Sequence, residues 1–258
     1  MSHELVLVGK IDHVAILTLN QPPLNPLSQL MIEALDRGLN EVLGDGTCRC
    51  IIVTGQGEKA FASGADIREL ETLDEKGGTA LVSRVKEVFN RFRSCSIPTI
   101  AAINAHAMGG GLELALHCDF RVAIENARLG LPEINLGVMP GAGGTLLLPQ
   151  LIGLAKARWM IMHGEIVQAK TALEMGLLDQ VVQEDALQGA FKMAASLAQK
   201  PPLSCQAIKE SFLAGEALSF KDAMEKESAL FGALCASRDK KEGVRAFLEK
   251  RKPKFRGL

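Results

Sequence analysis

Glu113 and Glu133 stand 20 positions apart in this sequence, each in an unusual setting. Glu113 closes the run Ala107-Met108-Gly109-Gly110-Gly111-Leu112-Glu113, and Glu133 closes Arg128-Leu129-Gly130-Leu131-Pro132-Glu133. Two carboxyl groups in contrasting surroundings are what acid–base chemistry on a neutral substrate needs. Glu113 is expected within the first turn of a helix, where the positive end of the peptide dipoles favours the anion; it suits a base or a water-holder. Glu133 has Leu129, Leu131, Ile134 and Leu136 around it, and burial among them raises a carboxyl pKa, so it suits an acid. Either glutamate alone reads as a solvated charge at a helix start. The two together, beside glycine-rich turns, point to chemistry.

Three such turns occur. Gly109-Gly110-Gly111 lets the backbone pass close to a ligand with N–H groups exposed at a helix N-terminus, which suits a developing oxyanion or a phosphate. It is neither G-x-G-x-x-G nor a Walker loop, since no Lys-Ser/Thr follows, and tight helix–sheet packing explains the glycines equally well. Phe61-Ala62-Ser63-Gly64-Ala65-Asp66-Ile67 is a second small-residue turn after a strand, with Asp66 placed to cap a helix and the Ala65 amide placed beside its start. An amide from each of these two turns, facing one another, would form an oxyanion hole. Pro140-Gly141-Ala142-Gly143-Gly144-Thr145 is the third; it either cradles a ligand or positions the helix after it.

Other chemistries find little support. The five histidines (3, 13, 106, 117, 163) lack metal-ligand spacing, so no metal is expected, and His117 and Asp119 read as structural. The six cysteines contain no C-x-x-C pair and read as reduced, mostly buried thiols. A formal net charge of −1, no Tyr, one Trp and ten Phe argue against nucleic acid as a partner. No run has membrane-spanning length and no basic segment followed by an apolar stretch opens the chain, so a cytoplasmic location is expected. The basic stretch Arg245-Ala246-Phe247-Leu248-Glu249-Lys250-Arg251-Lys252 is either a solvated tail or a contact for a phosphorylated ligand.

The elements that must position these residues alternate. Leu5–Val8 and Val14–Leu19 read as strands, with residues 9–13 turning between them. A proline-rich connection, Asn20 to Pro26, leads to a helix capped by Ser28, with Met31, Leu35, Leu39 and Val42 on its apolar face. Ile51–Val53, Pro98–Ile103 and Phe120–Ile124 read as buried strands, with helices at about 79–93 and 111–117. This order implies an α/β protein with a mostly parallel sheet covered by helices. Beyond about residue 142 helical periodicity dominates, including residues 218–236, with a last strand at Gln180-Val181-Val182.

At these residues the chain resembles the crotonase family, the enoyl-CoA hydratases and isomerases. The resemblance rests on Asn20-Gln21-Pro22-Pro23-Leu24-Asn25-Pro26-Leu27, Ala60–Ile67, Pro98–Asn104, Gly109-Gly110-Gly111-Leu112-Glu113-Leu114-Ala115, Cys118-Asp119, Leu131-Pro132-Glu133 and Pro140–Thr145, and covers nearly the whole length. It implies a spiral of ββα units over residues 1–195 and a helical trimerisation region over 196–258, assembled as a homotrimer or a homohexamer. It also implies an acyl-CoA thioester substrate and no cofactor. The thioester oxygen would sit on the Ala65 and Gly110 amides, the segment Ala65-Asp66-Ile67-Arg68 would run along CoA, and Phe247 and Lys250 would reach the CoA of a neighbouring subunit. Members that hydrate a double bond carry both glutamates, so syn addition of water to a trans-2-enoyl-CoA is the expected reaction; isomerisation or dehydration of a special hydroxyacyl-CoA is the nearest alternative, and a non-catalytic homologue that binds CoA or RNA, which loss of a glutamate would mark, is the more distant one. Leu131, and Leu146-Leu147, stand where many hydratases carry Gln and Gln-Arg, which makes this region more apolar.

Overall fold

Cys50-Ile51-Ile52-Val53 has no polar side to turn to water, and all of it is buried. In the computed structural model, which describes residues 4–258 and so leaves His3 outside, this run lies in β3 (Cys50–Gly55). The strand is central to a six-stranded sheet ordered β1 (Val6–Ile11), β2 (Val14–Leu19), β3, β5 (Thr99–Ile103), β7 (Phe120–Ile124) and β10 (Gln180–Val182). β1 runs antiparallel to β2; the other neighbours are parallel. Side chains alternate across a strand. Ile51 and Val53 therefore join the larger core, and Cys50 and Ile52 a smaller one under α8 (Ala186–Leu197). Ala186, Ala190 and Ala194, four apart on one helical face, let α8 approach that side of the sheet closely.

A second sheet carries β4 (Ala60–Ala62), β6 (His106–Met108), β8 (Arg128–Gly130) and β9 (Ile166–Gln168). After β2 comes α1 (Gln29–Gly44), capped by the Ser28 hydroxyl, which accepts from Met31 N at 3.2 Å. Then the chain alternates between the sheets: β3 to β4, β5 to β6, β7 to β8. The helices α2 (Ile67–Glu71) and α3 (Glu75–Ser94) follow β4, and α4 (Gly110–Leu116) follows β6. A 3₁₀ turn (Glu133–Leu136), α5 (Gly144–Ile152) and α6 (Leu154–His163) follow β8; α7 (Ala169–Met175) leads from β9 to β10. The result is a spiral of ββα turns in which Ala60 pairs with His106 and Ala107 with Leu129. Adjacent strands lie about 4.8 Å apart, so the loops leaving β4, β6 and β8 emerge side by side.

Two readings change. Residues 9–11 continue β1, paired to β2 through Gly9↔Ile16 and Lys10↔Ala15, and only Asp12 (φ +52°) and His13 turn. An edge strand with one face in water tolerates Gly and Lys. Between Asn104 and the glycine turn lies β6, and β9 adds a strand within the helical C-terminal half. Three-residue strands are too short to show a period of two. The last elements are α9 (Pro202–Ala217), α10 (Phe220–Ala236) and α11 (Arg238–Leu248). Lys209 anchors α9: its Nζ donates to Phe92 O, Ile97 O and Asp119 Oδ2 at 3.3, 3.1 and 2.6 Å. By contrast, α10 buries none of its side chains within this chain.

Candidate active site

The loop after β4 is held from two directions. Asn25, fully buried, donates its side-chain amide to Ala60 O and to Phe61 O, at 2.9 and 3.3 Å. Leu27 N donates to Gly64 O at 2.8 Å, and Ser63 N to Leu24 O at 3.0 Å. With Gly64 at φ +92° and its carbonyl turned to Leu27, the next amide, Ala65 N–H, is left pointing away from this pairing. Asp66 then caps α2, its carboxylate accepting from Arg68 N at 2.9 Å.

The loop after β6 meets it. Gly109 takes φ +51°, and Gly110 opens α4, so its N–H has no intrahelical acceptor. Neither Ala65 N nor Gly110 N donates to a loop or turn carbonyl. The two amides are neighbours: a Cβ placed on Gly64 would lie 3.3 Å from Gly110 N, and one on Gly110 would lie 3.9 Å from Ala65 N. A Cβ on Gly111 would meet Ala62 O at 2.3 Å, so only glycine lets α4 pack this tightly against β4.

Glu113, in the first turn of α4, is 3% exposed. Its Oε1 accepts from Ala142 N at 2.7 Å and Gly144 N at 2.8 Å. The third glycine turn therefore holds the carboxylate, and Gly141 and Ala142 in it also face the cavity described below. Burial raises the Glu113 pKa above the usual carboxylate range; the Gly144 and Ala142 amides oppose the rise, and so does Lys86. Desolvation thus outweighs the helix start, which by itself favours the anion. His117, one turn further on at the C-terminal cap of α4, is also buried. Its Nδ1–H donates to Glu113 O at 2.8 Å, and burial holds its pKa down at about 4, so it is neutral at pH 7.

Glu133 follows β8 at the start of the 3₁₀ turn. Burial pushes its pKa up to about 7; its own backbone N–H opposes the rise and the Glu113 charge adds to it. Its Oε2 is buried without a hydrogen-bond partner. Its Oε1 lies 3.0 Å from where a Cβ on Gly109 would stand, so the glycine gives the carboxyl its place.

Both carboxyls, both amides and Ile67 line one cavity of about 280 Å³. Glu113 and Glu133 are its only charged walls among the described residues; most of the rest is aliphatic, from α2, α3 and Leu136–Met139. Asp66 and Arg68 lie outside this wall, and Phe247 (84% exposed) and Lys250 lie beyond it at the end of α11. The aliphatic wall, with Leu73, Leu81, Val82, Val85, Val138 and Met139, was not legible in the sequence, which placed Leu81, Val82 and Val85 in a helix and gave the other three no role. Leu131 is fully buried against Gly144 and Leu147 is 8% exposed; neither lines the cavity, and Leu146 is 69% exposed.

The enoyl-CoA hydratase/isomerase family model matches residues 10–257. The chain belongs to the enoyl-CoA hydratase/isomerase family. It is 40% identical to a probable enoyl-CoA hydratase of Bacillus subtilis, with 95% of each chain aligned. It is 35% identical to the crotonyl-CoA hydratase of Syntrophomonas wolfei, over 99% of each. Its fold matches the crystal structure of an enoyl-CoA hydratase from Bacillus anthracis with a TM-score of 0.94 at 35% identity, covering 98% of this chain and 100% of that one. The spiral of ββα turns is therefore the family's fold.

Proposed function

We propose that the chain is an enoyl-CoA hydratase, adding water reversibly across the double bond of a trans-2-enoyl-CoA to give the 3-hydroxyacyl-CoA. The observation that carries the reading is one apolar cavity into which two carboxyls and two unpaired amides converge. In this reading the Ala65 and Gly110 amides form an oxyanion hole for the thioester oxygen, where negative charge develops as water adds. Glu113, fixed by the Ala142 and Gly144 amides, orients the water and takes its proton as the new C–O bond forms at Cβ. Glu133, whose pKa of about 7 keeps the proton within reach at neutral pH, delivers a proton to Cα. The dehydration direction passes through the same transition state, so there the two carboxyls exchange these roles. The names of the relatives, hydratases of crotonyl-CoA and other enoyl-CoAs, support this reading.

The same proposal covers assembly and the rest of CoA. Phe220 and Phe231 on α10, at 83% and 70% exposure, and Phe247 on α11 are expected to pack against further copies of the chain in a trimer or a hexamer. There Phe247 and Lys250 would reach the CoA bound by a neighbour, and Asp66, Ile67 and Arg68 would flank the CoA of their own subunit. No helix among the described residues is long and apolar enough to cross a membrane. The deciding experiment is hydration of crotonyl-CoA by the parent and by Glu113→Gln and Glu133→Gln. A loss of about 10²–10⁴ in kcat is expected from each; near-parental turnover in either variant would sink the two-carboxylate scheme.

A further inference from the structure

Gly78 is a glycine without a backbone or packing reason. It sits in the second turn of α3 with ordinary helical geometry, its N–H bonded to Asp74 O at 2.8 Å. A Cβ placed there would meet nothing within 4 Å. Glycine inside a helix costs about 1 kcal/mol relative to alanine, so its presence at an unobstructed position works against α3. Its neighbour Gly77 differs, because a Cβ there would come within 3.0 Å of the Leu73 side chain.

Gly78 lines the cavity, on the same face of α3 as Leu81, Val82 and Val85. The order along this face gives the cavity a direction. Val82 packs on Gly141, beside the Ala142 amide that holds Glu113: a Cβ on Gly141 would lie 2.9 Å from Val82 Cγ2. The Val82–Val85 end therefore adjoins the carboxyls, and Gly78 lies further out. At 1.5 Å rise per residue, Gly78 stands about 6 Å from Val82 and about 10 Å from Val85 along the axis. An extended chain advances roughly 1.2 Å per bond, a third of the span of a three-bond residue, so roughly five to eight bonds cover that distance. The walls on the way are aliphatic and hold no cation to meet a charged chain end.

We propose that Gly78 is a specificity-determining residue: its missing side chain leaves the outer end of the cavity open for the tail of an unbranched, uncharged medium-chain enoyl-CoA, from octenoyl to decenoyl. This rests on the hydratase reading above. The crotonyl chain has a single bond beyond Cβ and ends near Val82, whereas the octenoyl and decenoyl tails extend to Gly78. A leucine at 78 fills the space those tails occupy, and both Ala and Leu favour the helix more than Gly does.

The test compares kcat/KM for trans-2-decenoyl-CoA with that for crotonyl-CoA in the parent, Gly78→Ala and Gly78→Leu, with far-UV circular dichroism and thermal unfolding as folding controls. The parent is expected to turn over both substrates. The decenoyl-to-crotonyl ratio should fall about threefold in Gly78→Ala and at least tenfold in Gly78→Leu, chiefly through KM for the long substrate. A ratio unchanged within twofold in Gly78→Leu overturns the inference, as does a parent that hydrates crotonyl-CoA but not decenoyl-CoA. If Gly78→Leu does not fold, Gly78→Ala decides, and an unchanged ratio there overturns it equally. A folded parent that hydrates none of these thioesters overturns the hydratase reading itself, a result separate from any change of ratio.

Discussion

Glu113 and Glu133 lose water to the same cavity, yet only Glu113 receives two backbone amides in return. Glu133 keeps an unpartnered oxygen, and its pKa stands at about 7 against an ordinary value of 4.5. A carboxyl whose pKa is raised by folding binds its proton more tightly in the folded state. Its contribution to stability is fully present below about pH 4.5 and is lost as the pH rises through about 7. Glu133→Gln is accordingly expected to melt above the parent at about pH 8, with the gap closing at about pH 5. An equal gap at both pH values in a thermal-unfolding series would contradict a buried, titrating Glu133. The same proton sets the rate: if Glu133 is the acid in hydration, kcat/KM for crotonyl-CoA should fall above about pH 7. A profile flat from about pH 6 to 9 would remove Glu133 from that role.

Strands too short to recognise do most of the positioning. β4, β6 and β8 are three residues each, but they lie side by side, and each releases one part of the site: the Ala65 amide, the Gly110 amide with Glu113, and Glu133. Their loops hold by specific contacts. Asn25→Ala leaves the carbonyls of Gln56, Ala60 and Phe61 without their donor and is expected to cost about 1–3 kcal/mol in denaturant unfolding. Unchanged stability would show that these bonds do not hold the loop. The turn 140–144 offers a sharper case. A Cβ on Gly144 would meet Leu131 Cδ1 at 2.8 Å, Pro140 Cβ at 2.9 Å and Glu113 Oε1 at 3.1 Å. Gly144→Ala should therefore shift the amide that holds Glu113, lowering kcat about 10²-fold while the folded state survives. Parental kcat would argue that this amide does not govern the Glu113 geometry.

At the scale of the molecule, the spiral is complete by β10, and the helices α9–α11 attach to it through few buried contacts. Lys209 is the chief polar one. It is 8% exposed and pairs with Asp119, which also accepts from Thr99 N and Thr99 Oγ1. Removing the lysine leaves the carbonyls of Phe92 and Ile97 without this donor while Asp119 keeps its bonds from Thr99, at a cost of about 1–3 kcal/mol. Lys209→Met should lower the unfolding midpoint accordingly and raise amide exchange in α9; parental exchange rates there would show that apolar packing alone docks the helix. Beyond α9 little is buried, since α10 has no buried side chain and α11 buries only Asp239 and Ala246. Large exposed aromatics on these helices are the reason a monomer is not the expected state in solution.

Local chemistry was enough to find the central strands, the helix caps at Ser28 and Asp66, the three glycine turns and the two glutamates, because each depends on residues within a few positions of one another. The family motifs named the spiral on the same local grounds. Tertiary structure decided what no window of sequence holds. It stacked three loops from distant parts of the chain at the spacing of neighbouring strands. It aimed the Ala142 and Gly144 amides at Glu113, so that the third glycine turn serves a carboxylate, and it raised that carboxyl by burial where its helix start alone favours the anion. It also turned an ordinary apolar face of α3 into the wall of a cavity and moved Leu131 behind it. The physical reason is the same in each case: propensity and capping act over a few residues, whereas desolvation and cavity shape are set by whichever segments the fold brings into contact.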